Sequence, residues 1–367
     1  MRQGSVSSGI FFNCYCNRLF KRLRDLGTGC TVGQMGGPGE FCGVFVYCDD
    51  IFLLSASRSG LQSMMTTCQN FAADNNLQFS TNVIPKKSKS KCIIFCKNPA
   101  FRENVSPIML DGNPLPWVTS VTHLGHVFDC DNNMYSDTRL KRGRFIGKIN
   151  SLQQEFHFVS PHVKIDWYDK YACSFYGSNL YNLFCHETEK IYGAFNVSVR
   201  QAYQLPFNAH RYLIQPLLSR PHIKTQLCSR FVKFVQNNDN CSKPVIRLLS
   251  SLCKNDNRTT YCKNLVNIAL ECNSNMSNLS SIDVKNNMSY FPVPVDQEWR
   301  VDLLLSLLNI KSNLFNIDNF DSVELDDILQ YVCSSRSVLY SFLTVRLHII
   351  HYNLGNFNRS SLTQSLL

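Results

Sequence analysis

The sequence predicts an α+β fold, an antiparallel sheet with helices over roughly the first third and an all-helical remainder. Three observations lead there. Short β-prone apolar runs bounded by turn residues lie between Phe41 and Phe128. Apolar residues at helical spacing flank the first of these runs, and from Asp137 onward the periodicity turns helical and stays so. Taken in order, Phe11, Tyr15, Leu19 and Leu23 recur at four-residue steps and predict a first helix, with Arg18, Lys21, Arg22 and Arg24 on its other positions. A Gly-rich loop from Gly27 to Gly39 follows. Phe41 to Tyr47 and Ile51 to Leu54 then read as a hairpin, buried on at least one face, whose tip is the acid pair Asp49-Asp50. Ser57 and Ser59 are cap residues for a helix through Leu61, Met64, Met65, Cys68, Phe71 and Ala72. Cys92 to Phe95 reads as a strand inside a basic stretch, Lys86 to Arg102, with no acid between Asp74 and Glu103. Asp111-Gly112 centres a second hairpin within Ile108 to Val118, and Val121 to Phe128 reads as a further extended segment.

In the remainder, Leu140, Ile146, Ile149, Leu152 and Phe156 give one helix an apolar face, while Lys141, Arg144 and Lys148 stand at i, i+3 and i+7 as a basic stripe. Ile165, Tyr168, Ala172 and Phe175 mark another helix, as do Ile223, Leu227, Phe231 and Phe234. Residues 236–296 are rich in Asn, Ser and Lys and read as partly helical, partly linker. Helical spacing returns from Trp299 with Val301, Leu304, Leu305 and Leu308. The expected division is therefore 1–130, 131–235 and 236–367.

Composition narrows the classes of function. Hydrophobic residues at 44% and charged residues at 17%, below the usual share of about 25%, exclude wholesale disorder. A net charge of +10 favours a polyanionic partner such as nucleic acid. Seventeen cysteines without one Cys-x-x-Cys pair read as reduced, packed thiols of an intracellular protein, in nucleus or cytoplasm and not secreted. No stretch meets the length and apolarity of a membrane span; Val338 to Leu354 is interrupted by Arg346, His348 and His351.

Adjacent aspartates at a rigid hairpin tip suit Mg²⁺, which takes carboxylate oxygens and leaves coordination sites for substrate phosphates. Two such ions about 3.5–4 Å apart can stabilise the attacking and leaving oxygens of a phosphoryl transfer. Like charges side by side on a buried hairpin also repel unless a cation joins them. A second pair, Asp326-Asp327, lies in an acidic run after Ser322 and reads as a solvated helix start.

Tyr47-Cys48-Asp49-Asp50 resembles the Tyr-x-Asp-Asp signature of reverse transcriptases, and its surroundings resemble those of non-LTR (LINE-type, jockey-like) retrotransposons in the same order. Arg2-Gln3-Gly4 with Phe11-Phe12-Asn13-Cys14-Tyr15 is similar to the upstream Arg-Gln-Gly block. Leu77 to Thr81 with Pro85 to Cys92 is similar to the lysine-bearing segment downstream, and Leu115-Pro116-Trp117-Val118 with His123-Leu124-Gly125-His126 to the Leu-Gly primer-grip element. The likeness runs through Phe184, His210, Arg211 and Tyr212 and fades beyond about residue 240.

The resemblance implies a partial polymerase palm followed by a helical thumb and a C-terminal extension. It implies a nucleotidyltransferase of a transposable element, an RNA-directed DNA polymerase using Mg²⁺ or Mn²⁺, an RNA template, a DNA primer and deoxynucleoside triphosphates. Asp49 would ligate metal, Asp50 would assist it or hold the turn, and Tyr47 would pack near the primer end. Arg2, Gln3 and Gly4 would line the substrate, with Gln3 and Gly4 on the incoming nucleotide or the template base. One of Lys87, Lys89 and Lys91 would assist the leaving pyrophosphate, and Leu124 and Gly125 would hold the primer. Lys141, Arg144 and Lys148 would bind duplex phosphates, unless they are a solvated helix face.

Departures accompany the matches. Cys48 stands where the family commonly has Ala, Gly9 where it has Pro, and Asn82 to Ile84 where it has Asp-Pro-Asn. Met1 directly precedes the Arg-Gln-Gly block, which leads to the expectation that the strand with the family's first catalytic aspartate is missing and that the isolated chain is inactive. An unpaired sheet edge and poor solubility would follow. Two alternatives remain open from the residues: a catalytically dead nucleic-acid-binding remnant, and a zinc protein using Cys241, Cys253, Cys262 and Cys272, whose spacings match no tight ligand pair.

Overall fold

The computed structural model describes residues 8–33, 39–80, 89–96, 104–205 and 221–273, with isolated positions besides. The chain divides into two units: Met1–Asp137 with Asn237–Asn255, and Thr138–Gln236 with the residues from Asp256 on.

In the first unit, helix α1 (Ser8–Asp25) and helix α2 (Arg58–Asp74) build the core. Cys16, Leu19 and Leu23 of α1 pack on Met64, Cys68 and Phe71 of α2, and Val44, Ile51 and Leu53 close over them. The buried face of α1 departs from the expected one: Phe12 packs inward while Phe11 and Tyr15 are exposed. Strict four-residue steps advance 400° and slide around the helix, so positions 12, 16, 19 and 23 make the straighter stripe. Ser57 caps α2, its Oγ accepting the Gly60 N–H at 3.1 Å. The other side of α2 carries a second cluster, Cys92, Ile108, Leu110 and Leu115, with Leu61, Met65 and Trp117 against it.

The strands are short; with the helices they make the expected α+β combination, but the antiparallel pieces do not join into one sheet among the described residues. There are five two-stranded pieces. Strand β1 (Thr31–Val32) pairs with β2 (Glu40–Phe41), and β3 (Val44–Tyr47) with β4 (Asp50–Leu53). Strand β5 (Cys92–Ile93) pairs in parallel with β8 (Trp117–Val118). The Asp111-Gly112 turn joins β6 (Met109–Leu110) to β7 (Asn113–Pro114), both turn residues having positive φ as a two-residue hairpin of this type requires. Val121 to Phe128 is not one extended segment but a hairpin, β9 (Ser120–His123) with β10 (His126–Asp129). The chain near Gly29 and Gly43 crosses so closely that a Cβ on Gly43 would stand 2.7 Å from the Gly29 Cα, and only a missing side chain allows it.

The second unit is helical: α3 (Tyr135–Glu155, entering from the first unit), α4 (Pro161–Trp167), α5 (His186–Ala202), α6 (Ile223–Asp239) and α8 (Thr260–Glu271). Helix α7 (Pro244–Asn255) belongs to the first unit, where it lies against β1 and β2, and is a helical part of the stretch read as partly helical, partly linker. The expected helix through Ile165, Tyr168, Ala172 and Phe175 ends earlier as an α-helix, passing into a turn of π-helix at Tyr168–Ala172. Among the described residues no helix is long and apolar enough to cross a membrane. The tail from Trp299 and the Asp326-Asp327 pair lie outside the described residues.

Candidate active-site hairpin

The β3–β4 register sorts the hairpin's side chains. Val44 faces Leu53 and Val46 faces Ile51 on the side that meets the helices, leaving Phe45, Phe52, Tyr47 and Asp50 on the other. No residue of the hairpin is fully buried; Phe45 and Tyr47 are 46% and 62% exposed. Burial on at least one face was expected, and one face is what the helices cover, through Val44, Ile51 and Leu53. The two carboxylates also differ in place. Cys48 and Asp49 form the two-residue turn, whereas Asp50 is the first residue of β4, opposite Tyr47.

The turn is strained. Cys48 has φ of +52°, a left-handed conformation that costs a residue with a Cβ about 1 kcal/mol or more, and such outliers gather at functional sites. It also abuts the first turn of α1, since a Cβ on Gly9 would lie 3.0 Å from the Cys48 Sγ. The two positions thus make one packing event, the Cys48 side chain taking space that the absent side chain of Gly9 leaves. Among the described residues neither Asp49 nor Asp50 makes a side-chain hydrogen bond or ion pair, and both are exposed. Exposed carboxylates on a fixed turn are hard oxygen donors of the kind a divalent cation takes.

The open face of the hairpin is bridged by aromatic rings to β9–β10. Phe52 lies 6.3 Å from Phe45, 5.5 Å from the His123 ring and 6.5 Å from Phe128, measured between ring centres. Leu124 and Gly125, the tip of β9–β10, have φ of +47° and +78°. A leucine in the left-handed region is again strained, and it is partly exposed. Asp137 fixes this second hairpin. Buried at the start of α3, it accepts the Val127 N–H at 3.0 Å and lies 3.3 Å from His126 Nδ1. Sequence reasoning missed Asp137 and Phe52 as positioning groups; an acid in a helix's first turn was the available signal.

The remaining expected residues fall in several places. Lys89 and Lys91 are exposed on the approach to β5, and neither is bonded to Asp49 or Asp50. Arg2, Gln3, Gly4 and Lys87 lie outside the described residues, as do His210, Arg211 and Tyr212. In the second unit Arg144 is exposed, Lys148 Nζ donates to the Tyr171 carbonyl at 3.0 Å, and Lys141 Nζ stands 5.5 Å from the centre of the Tyr176 ring. The cysteines are free where described. Burial pushes the Cys68 thiol up to about 12 and Cys92 up to about 11, so both are neutral thiols at physiological pH. Among the described residues no three of His, Cys, Asp and Glu are grouped as metal ligands.

An exposed acid pair on a strained hairpin, faced by a second hairpin and backed by two helices, is an arrangement suited to phosphoryl transfer. Residues 1–128 match the family model of reverse transcriptase (RNA-dependent DNA polymerase). The match takes in α1 through β10, and with them Tyr47, Asp49, Asp50, Leu124 and Gly125, and leaves the second unit outside it. No curated protein matches the chain.

Proposed function

We propose that the first unit is the catalytic-hairpin part of a reverse-transcriptase palm of the non-LTR retrotransposon type, followed by a thumb in the second unit. The observation that carries this is the exposed Asp49-Asp50 pair, without a side-chain partner among the described residues, at a left-handed turn inside the matched segment. A divalent cation held there would supply charge stabilisation for phosphoryl transfer, in which the primer's 3′ oxygen bonds the nucleotide's α-phosphorus while the bond from that phosphorus to pyrophosphate breaks. Asp49 and Asp50 would hold it, Cys48 and Gly9 set the turn, and Tyr47, beside Asp50, packs against the primer end. Leu124 and Gly125 guide that end from the facing hairpin, with Asp137 and Phe52 fixing their position. Template and nucleotide binding falls to Arg2, Gln3 and Gly4, and pyrophosphate release to one of Lys87, Lys89 and Lys91. Lys141, Arg144 and Lys148 hold duplex phosphates.

Two carboxylates on one hairpin supply part of a two-ion cage, and in-line geometry needs a further acid from another strand. The expected result is that the purified chain does not extend an oligo-dT primer on poly-rA with Mg²⁺ or Mn²⁺, yet binds Mn²⁺ by spin resonance with an affinity that Asp49→Asn lowers. Primer extension abolished by Asp49→Asn would overturn the inactivity and establish the polymerase. Mn²⁺ binding indifferent to Asp49→Asn and Asp50→Asn would remove the metal role. In that case a nucleic-acid-binding remnant is the reading left, supported by the basic helix α3.

A further inference from the structure

Helix α3 carries Arg139, Lys141, Arg142, Arg144 and Lys148 against a single acid, Glu155, over its course through the second unit. What flanks this stripe was not legible in the sequence. After α4 the backbone widens into the π-helical turn Tyr168–Ala172, then passes through Phe175 at φ +35° and Gly177 at φ +77°. Single π turns and left-handed bulky residues both concentrate at functional sites, because each costs stability that regular helix would not.

The irregular segment is firmly seated. Phe175 is buried and its ring centre lies 5.3 Å from that of Phe145 on α3. Arg230 donates to the carbonyls of Cys173 at 3.4 Å and Ser174 at 2.7 Å, satisfying groups that a regular helix would have paired internally. With Phe175 turned inward, Tyr171 and Tyr176 are left 60% and 61% exposed. Both are tied to the stripe: Lys148 donates to the Tyr171 carbonyl, and Lys141 stands over the Tyr176 ring. Lys141 and Lys148 are two turns apart on one face, about 10 Å along the axis.

We propose that Tyr171 and Tyr176, with Lys141 and Lys148, form a stacking platform for an unpaired RNA strand. Exposed aromatic faces alternating with cations suit a strand whose bases are free to stack and whose phosphates need neutralising. A duplex gains nothing from the rings, since its bases already stack on one another. The proposal rests on the nucleic-acid reading of the α3 stripe but not on polymerase chemistry, and it assigns to this face an unpaired strand in addition to a duplex.

The test uses the full chain in EDTA, with a fluorescent uridine oligomer and an RNA–DNA hybrid of the same length, followed by anisotropy across a salt series. Tyr171→Ala with Tyr176→Ala is expected to weaken the oligomer about tenfold or more while changing the hybrid less than about twofold, and the Phe pair to restore binding. Lys141→Gln with Lys148→Gln is expected to weaken both probes and to lower their salt slopes by about 1.4 to 1.8. Unchanged oligomer binding by the Ala pair, or an equal loss on the hybrid, overturns the platform. Hybrid binding without oligomer binding by the parent chain overturns the platform alone, and binding of neither removes the stripe's nucleic-acid role with it. Independently of any variant, photocrosslinking of a 4-thiouridine oligomer to the parent chain should recover the peptide holding Tyr171 and Tyr176. Crosslinks confined to other segments overturn the proposal.

Discussion

The two units are stabilised by different means. The first relies on two thin apolar clusters around α2, and its hairpin over them keeps at least part of every side chain in solvent. The second buries whole tyrosines and polar groups. Asn264, fully buried on α8, donates to the Tyr181 carbonyl at 2.7 Å and accepts the Leu183 N–H at 2.9 Å, while Tyr192 donates to the Leu183 carbonyl at 2.9 Å. His222 and Asn196 meet at 2.7 Å, and Lys224 pairs with Glu271 at 2.7 Å. Buried polar groups that are fully bonded specify one packing, whereas apolar clusters tolerate exchange as long as volume is kept. The contrast therefore predicts that polar deletions are costly in the second unit and that steric insertions are costly in the first.

Asn264→Leu should show the largest effect. It removes the bond that holds the buried Leu183 N–H and the one that reaches the Tyr181 carbonyl, and should lower unfolding free energy by about 2–4 kcal/mol, read from urea titration. A loss below about 1 kcal/mol would mean that the network is not what holds the Tyr181–Leu183 segment. Gly43→Ala comes next, costing about 1–3 kcal/mol, because its new methyl would meet the Gly29 backbone at 2.7 Å. Hydrogen exchange should place that loss in the first unit; an unaltered protein would show that the crossing can open freely.

Acid should act on the second unit through His222. Burial, and then the nearby Lys224 charge, hold its pKa well below the ordinary 6.5. Its Nδ1 accepts the Lys224 N–H at 3.1 Å, a bond that only the neutral ring can make. The folded state thus binds fewer protons than the unfolded state. The contribution is complete above about pH 6.5 and is lost as pH falls from there toward the depressed folded value. Urea midpoints across that interval should drop in the parent chain and drop less in His222→Gln; parallel profiles would remove His222 from the account. The smallest effect belongs to Arg22→Gln. The Arg22–Asp74 pair at 3.3 Å is more than half exposed on both sides, so less than about 1 kcal/mol is expected, and a larger change would show the first unit to depend on surface charge.

Much of the first unit was readable from local chemistry. Ser57 caps α2, Asp111-Gly112 turns a hairpin, and Leu19, Leu23, Met64, Cys68 and Phe71 are core, because caps, turns and strong periodicity act over a few residues. The Phe11 and Tyr15 assignment failed for a geometric reason: a four-residue step and a helical turn differ by 40°, and only contact with α2 shows which stripe is used. Leu124-Gly125 was recognised as a motif but not as a turn, since leucine is unsuited to a left-handed position and nothing local announces the strain. The π-helical turn was invisible for the same reason: Ile165, Tyr168 and Ala172 have acceptable α-helical spacing.

The sequence by itself determined the order of the elements, the cationic character of α3, the state of the thiols, and the placing of an acid pair between two β-prone runs. These follow from side-chain type and short-range spacing. Only tertiary structure decided that one hairpin face is open, that Gly9 and Cys48 share a space, that Asp137 anchors the facing hairpin, and that two tyrosines flank the basic helix. Each of these depends on residues distant in the chain occupying one volume, and exclusion between distant atoms leaves no periodic trace in the order of amino acids.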